Sequence, residues 1–239
     1  MYDIITKAEY WRWLENGINT PAPGKEGGLK HIQDTFILAA LENVEGCKIL
    51  EFGGGHSRLL RSLGKKNECW NADKFEGVGA GPTRLLQQRG VKTVKTFIGD
   101  FDERLPDGYF DYVFSISVME HVPLNGLAAT FADCARILKP GGALIQAIDL
   151  YLPDAIDRND PDCQFGRRRI SLYLDAAAQA GLTLKEPAAL DGDACFRGSH
   201  ASNSDTTMYF WNSVAPSLRA VRERAQSVAL KGWWIKPEA

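Results

Sequence analysis

The amino-acid sequence predicts an α/β protein: a mostly parallel sheet with helices on both faces and an antiparallel last strand. Two observations carry this expectation. Short apolar runs (KILEF, ECWNAD, TVKTFI, DYVFSIS, ALIQAID) recur between residues 48 and 149. The stretches between most of them have helical periodicity and end in glycine, as the crossovers of a parallel sheet do. No linker or internal repeat divides the 239 residues, so the chain is read as one domain.

Residues 1–45 supply two helices, at 7–16 and 30–44, separated by the loop NTPAPGKEGG and expected to cap the sheet. The core is expected over 46–213. KILEF (48–52) reads as a buried strand, and HSRLLRSLG as a helix ended by Gly64. ECWNAD (68–73) is the next strand; PTRLLQQRG then reads as a helix with Pro82 near its start and Gly90 after its end. TVKTFI (93–98) and DYVFSIS (111–117) are rich in β-branched and aromatic residues. NGLAATFADCARILKPGG is a helix closed by Pro-Gly-Gly, and ALIQAID (143–149) another strand. RRRISLYLDAAAQAGLTLKEP is a helix followed by a strand, and TTMYFWNS (206–213) is the last strand. Residues 214–239 are expected as a terminal helix, SLRAVRERAQSVAL, and a tail anchored by Trp233 and Trp234. The loops at 150–166 and 187–205 are the expected carriers of specificity, since a rigid sheet presents its binding groups on such connections.

Composition bounds the function. Hydrophobic residues are 44%, charged residues 24% and the net charge is −2, which suits a folded core and gives no field for nucleic acid or an anionic membrane. No uncharged apolar run reaches the ~18 residues of a membrane span. The opening MYDIITKAEYW lacks the basic-then-apolar order of a secretory leader. Five scattered cysteines without a CxxC pair argue against a disulfide scaffold or structural zinc, and fit reduced thiols in the cytoplasm.

The sharpest local signal is ILEFGGGHSRLL (49–60), where three glycines directly follow a buried strand. They either turn the chain or let a ligand lie against the backbone, with the amides of the next helix as donors. Asp73 ends the following strand, where an acid can accept from ribose hydroxyls. IGDF puts Asp100 just past another strand, in reach of an exocyclic amine. FDYVFSISVMEHVP then runs a strand into a polar pair, and ILKPGGALI is a helix, a tight turn and a strand.

These five ordered segments resemble the class I S-adenosylmethionine-dependent methyltransferases, over about residues 46–150. The resemblance implies a Rossmann-like fold, S-adenosyl-L-methionine as cofactor, and methyl transfer to a small molecule or sugar, read here as O-methylation at a hydroxyl. By position, Glu51, Gly53, Gly54 and Gly55 would line the methionine part of the cofactor. Asp73 would hold the ribose with Lys74 beside it, Asp100 would meet the adenine amine with Phe101 near the ring, and Ser117 would face the methionine amine. The chain departs from the family's glycine pattern in having Ser57 as the last member and His56 at the helix start.

Methyl transfer is an in-line displacement, so nucleophile and methyl must be aligned and a hydroxyl nucleophile must lose its proton. Glu120 and His121 follow the strand end where acceptor and methyl would meet, and His121 suits a general base; the alternative is that the pair only braces the loop. In ubiquinone-type O-methyltransferases a similar E-x-x-E-H segment is associated with a divalent metal. Here Ser117 replaces the first acid, so no metal is expected. His31, Asp149, Tyr151 and His200 are candidates for the acceptor side, with a structural role as the alternative for both histidines. Arg167, Arg168 and Arg169 are read as a solvated basic face, or as partners of a substrate anion. Two further readings keep the fold: an aminopropyl transferase, using Asp154, Asp157, Asp160 and Asp162, and a non-catalytic cofactor-binding subunit.

Overall fold

The computed structural model describes residues 1–18, 28–77, 82–85, 87–152, 167–190, 199–201 and 226–238. In chain order these form β1 (Tyr2–Ile4), α1 (Lys7–Glu15), α2 (Leu29–Leu41), β2 (Lys48–Phe52), α3 (Leu60–Leu63), β3 (Glu68–Asp73), β4 (Val91–Lys95), β5 (Phe110–Ile116), α4 (Leu127–Ile137), β6 (Leu138–Leu152), α5 (Arg168–Gln179), β7 (Thr183–Leu184) and β8 (Gln226–Ile235). One eight-stranded sheet has the order β1-β8-β6-β5-β2-β3-β4, with β7 also paired to β8. Strands β6, β5, β2, β3 and β4 are parallel, and β8 runs antiparallel to β6, β1 and β7. The α/β class, the parallel centre and the antiparallel last strand are therefore as the sequence predicts.

Alternation along the central strands divides the core in two. Ile49, Phe114 and Ile145 face α1, α2 and α3, while Leu50, Val113 and Leu144 face α4 and α5. A strand buried on both sides needs near-continuous apolar residues, which is why KILEF and DYVFSI are legible as strands. From β2 the chain steps outward through β3 and β4, then returns to place β5 on the other side of β2. The strand order thus switches between β2 and β5, and their carboxyl ends open the crevice in which such sheets bind ligands.

Several elements differ from expectation. Of the helix predicted from His56, only Leu60–Leu63 is helical; the Ser57 hydroxyl accepts the amides of Leu59 and Leu60 and holds the chain in a turn before it. The described part of PTRLLQQRG forms no helix: its Leu85 is exposed, so no apolar stripe holds one. The strand predicted at 93–98 lies at Val91–Lys95, leaving 96–98 free to turn toward the crevice. The helix ending in Pro-Gly-Gly stops at Ile137, and the chain is extended from Leu138 onward.

The largest correction concerns the terminal helix. Its described part, from Gln226, is strand β8, and β8 and β1 belong to the sheet rather than to a tail and a cap. Val228 and Leu230 face one side while Ala229 and Lys231 face the other, and ten register pairs with β6 override helical propensity. Lys231 is buried and ion-paired with Glu9, whose carboxylate also accepts the Thr6 amide in the capping box of α1. Trp234 does anchor the terminus, 1% exposed between Tyr2 and Phe131 with ring centroids 5.5 and 5.6 Å away. The expected strand at 206–213 lies outside the described residues. No described helix is long and apolar enough to cross a membrane.

Truncating Trp234 to Ala removes the indole that joins β8 to β1 and α4. The variant is expected to lose about 3–5 kcal/mol of stability, read from urea unfolding.

Candidate active site

At the switch point the chain leaves β2 through Gly53, whose φ is +66°, and Gly55, whose φ is +53°. A Cβ on Gly53 would lie 2.5 Å from Val118 Cγ2, and one on Gly55 2.7 Å from Pro82 Cδ, so both backbone shape and space demand glycine. Side chains hold this loop from behind. Asp73 accepts the Gly55 amide on Oδ2 (2.9 Å) and the Phe75 amide on Oδ1 (2.6 Å), and Asn71 donates to the Gly55 carbonyl (2.7 Å). Ser57 donates to Glu51, which is buried on the sheet. Burial pushes the Glu51 carboxyl up to about 7, against the opposing Ser57 hydrogen bond and the nearby Arg58. Arg58 is itself gripped by Asp34 through two hydrogen bonds of 2.7 and 2.8 Å.

In front of the loop lies a cavity of about 700 Å³, within the range of small-molecule sites. Gly53, Asp73, Lys74 and Asp100 form one part of its wall, and Ser117 and His121 another. Phe97, Ile98 and Val118 add an apolar surface between them. Asp100 is carried there by a loop that α4 holds: the buried Asp133 carboxylate accepts the amides of Gly99 (2.7 Å) and Phe101 (3.2 Å) and is paired with Arg136.

Not every expected residue reaches the cavity. Glu51, Gly54 and Gly55 stand behind its wall; a Cβ on Gly54 would strike the Glu51 carboxyl. Phe101 is a correction: Asp133 draws its amide inward at a φ of +55°, its ring is 46% exposed, and Phe97 supplies the aromatic surface instead.

The carboxyl ends of β5 and β6 build the other side. Ser117, with a φ of +53°, lies 2.6 Å from Asp149 Oδ1 and 2.9 Å from Gln33 Oε1, and Gln33 Nε2 donates to the same Asp149 oxygen (2.7 Å). Lys30 Nζ is 3.7 Å from that oxygen. α2 is thereby tied to the strand ends through Gln33 and Lys30. The next turn, Met119–His121, buries Glu120 completely, with no hydrogen bond to either carboxylate oxygen among the described residues. Burial, then the charge of Asp149, raises the Glu120 carboxyl well above the usual range. His121 lies with Nε2 3.8 Å from Glu120 Oε1; burial holds its pKa below 6.5, helped by Lys30 and Arg169 and opposed by Asp149.

The remaining candidates fall elsewhere. His31 Nδ1 shares a hydrogen with the Tyr10 hydroxyl (2.7 Å), and His200 is buried in a bridge with Thr6; neither lines the cavity. The Tyr151 side chain and Asp154, Asp157, Asp160 and Asp162 lie outside the described residues. Arg169 corrects the reading of the arginine run, being buried rather than solvated. Sequence reasoning missed Gln33, Lys30, Asn71, Phe97 and Asp133, whose roles come from long-range contacts. Among the described residues no group of three or more His, Cys, Asp or Glu side chains is arranged to hold a metal.

Glu51 generates a prediction. A carboxyl raised from 4.5 to about 7 stabilises the fold fully below the unfolded value, and that contribution is lost as pH rises to about 7. Glu51→Gln is therefore expected to gain stability relative to wild type between those pH values, by on the order of 3 kcal/mol, as measured by urea unfolding at each pH.

Comparison with known proteins agrees with this geometry. Residues 50–146 match the family model described as "Methyltransferase domain". The chain is 32% identical over 128 residues to the ubiquinone/menaquinone biosynthesis C-methyltransferase UbiE of Paraburkholderia phymatum, covering 50% of each chain. It thus spans about half the length of the curated relatives it matches. Among solved structures, phosphoethanolamine N-methyltransferase 2 of Haemonchus contortus aligns with a TM-score of 0.54 at 13% identity, over 85% of this chain and 52% of that one. An S-adenosylmethionine-dependent methyltransferase of Mesorhizobium loti aligns with a TM-score of 0.50 at 16% identity, over 83% and 95%. At these identities the structural likenesses speak for the fold.

Proposed function

We propose, starting from a core that is a class I S-adenosylmethionine-dependent methyltransferase domain, that this chain binds its cofactor in the switch-point cavity and methylates a small-molecule acceptor, sugars included, at a hydroxyl oxygen. One observation carries the reading: a single cleft joins a glycine wall, two carboxylates and an apolar surface to the turn bearing Glu120 and His121.

The residues present fit the cofactor. Gly53 leaves backbone where a Cβ would collide, Asp73 and Asp100 offer acceptors for ribose hydroxyls and an adenine amine, and Phe97 and Ile98 offer an apolar face for the base. Gly53, Asp73, Lys74, Asp100 and Ser117 would hold it. Asp73 keeps lone pairs for this although each oxygen already accepts one amide. When bound, the cofactor supplies a methyl group activated on a sulfonium.

The protein's own work is placement and proton management. His121, kept below its ordinary pKa by burial, has an imidazole that would accept the proton of an acceptor hydroxyl. Burial, then the charge of Asp149, raises the pKa of the Glu120 carboxyl beside it. Asp149 is fixed by Gln33, Ser117 and Lys30, and its charge favours the imidazolium that forms. Val118, Val122 and Pro123 line the cavity around this turn and limit water.

A second acceptor atom has support. The curated relatives are named C-methyltransferases, and removing a proton from a ring hydroxyl enriches its neighbouring carbons as well as the oxygen. The same base serves both, and the site of the new methyl in the product, read by NMR, separates them. A cytoplasmic location suits the free thiols of Cys47, Cys69 and Cys134.

With a turned-over acceptor in hand, kcat/KM is expected to fall as pH drops through the His121 titration, below 6.5, because the neutral imidazole is the active form. His121→Ala should lower kcat by about 10²–10⁴-fold and abolish that acidic limb. An unchanged rate across pH removes His121 from the mechanism.

A further inference from the structure

The turn that carries Glu120 and His121 is short, Met119–His121, and follows a strand end, so its own backbone bonds give it little rigidity. A brace comes from α5. Arg169 is 1% exposed, and its guanidinium donates from Nη1 to the carbonyls of Met119 (3.0 Å) and Val122 (2.9 Å), and from Nη2 again to Val122 (3.0 Å). These carbonyls stand on either side of the Glu120-His121 pair. Tyr173, one helical turn along α5, is 3.4 Å from Nη1 through its hydroxyl and is itself bound in the core.

Burying a guanidinium is costly unless its donors are met, and a planar fork is suited to bridging two carbonyls at a fixed spacing. A side chain whose sole task was to fill the core would be apolar. We propose that Arg169 is a positioning residue for methyl transfer: by clamping the carbonyls of Met119 and Val122 it sets where His121 stands against the cavity, with Glu120 buried behind it. This rests on the methyltransferase reading for its functional consequence, while the clamp itself is geometry.

The clamp also places a fixed positive charge near His121. Among the described residues, the charged groups that act on this imidazole include Asp149 from β6, Lys30 from α2, Arg169 from α5 and Glu120 in its own turn. Arg169 and Lys30 act with burial to keep the ring neutral, and Asp149 acts against them. Position and charge are therefore separable by substitution. Arg169→Lys keeps a cation but loses the planar fork and its second nitrogen on Val122, whereas Arg169→Met removes the charge and every donor.

The test follows the His121 imidazole by NMR through a pH titration in wild type, Arg169→Lys and Arg169→Met, its signal assigned by its loss in His121→Ala. Steady-state kinetics accompany it. Arg169→Met is expected to raise the His121 titration toward its ordinary value and displace its chemical shifts. Arg169→Lys should displace the shifts while leaving the titration near that of wild type. In both, kcat should fall by about 10²-fold, the scale of a misplaced catalytic group, with the KM for cofactor little changed. Imidazole shifts and titration that superimpose on wild type in either folded variant would overturn the proposal, as would an undiminished kcat. If Arg169→Met does not fold, the same criteria apply to Arg169→Lys. Should no acceptor be turned over at all, the methyltransferase reading fails on that ground, and the NMR arm still decides whether Arg169 holds the turn.

Discussion

The loop after β2 must leave the sheet at positive φ, turn within four residues and present backbone to a cavity, yet every buried amide and carbonyl in it needs a partner. Side chains from the adjoining strand and the loop itself meet that demand. Asp73 takes the Gly55 amide, Asn71 satisfies the Gly55 carbonyl, and Ser57 bridges Glu51 to the first amides of α3. Because Asp73 also faces the cavity, one carboxylate both shapes the loop and offers acceptors in front of it. The register of β2 against β3, with Glu51 opposite Asn71, is what brings these groups together.

The acceptor side follows the same logic with other parts. A short turn with little rigidity of its own is held from one face by Arg169 of α5, and the neighbouring strand end is tied to α2 through Gln33 and Lys30. Two helices from opposite layers thus converge on residues 117–122. The raised pKa of Glu120 and the lowered pKa of His121 come from that enclosure, since both shifts are led by loss of water.

How much of this was legible beforehand depended on the range of the interaction involved. β2, β3, β5, α2, α4 and α5 were readable because an apolar run or stripe and its punctuation are local. Asp73, Asp100, Ser117 and His121 were placed at the cavity by their positions just past strands in the ordered pattern. β8 was misread because AQSVAL has helical composition, and its strand character comes from pairing with β6, more than seventy residues away in sequence. Phe101 was taken for Phe97 because the turn between them hangs on Asp133, thirty-odd residues further on. Arg169 was misread for the same reason: a run of three arginines looks solvated until the carbonyls it serves are known.

The central claim is that the switch-point cavity holds an adenosyl sulfonium cofactor, and calorimetric titration of the full chain with S-adenosylhomocysteine tests it most directly, with Asp100→Ala alongside. Asp100 is exposed on the cavity wall, so its loss is expected to report on the ligand contact with little effect on folding. One-to-one binding by wild type in the micromolar range is expected, weakened at least about tenfold in the variant, the scale of a lost hydrogen bond to a carboxylate. Failure of folded wild type to bind would contradict it, and the glycines after β2 would then be a turn and nothing more.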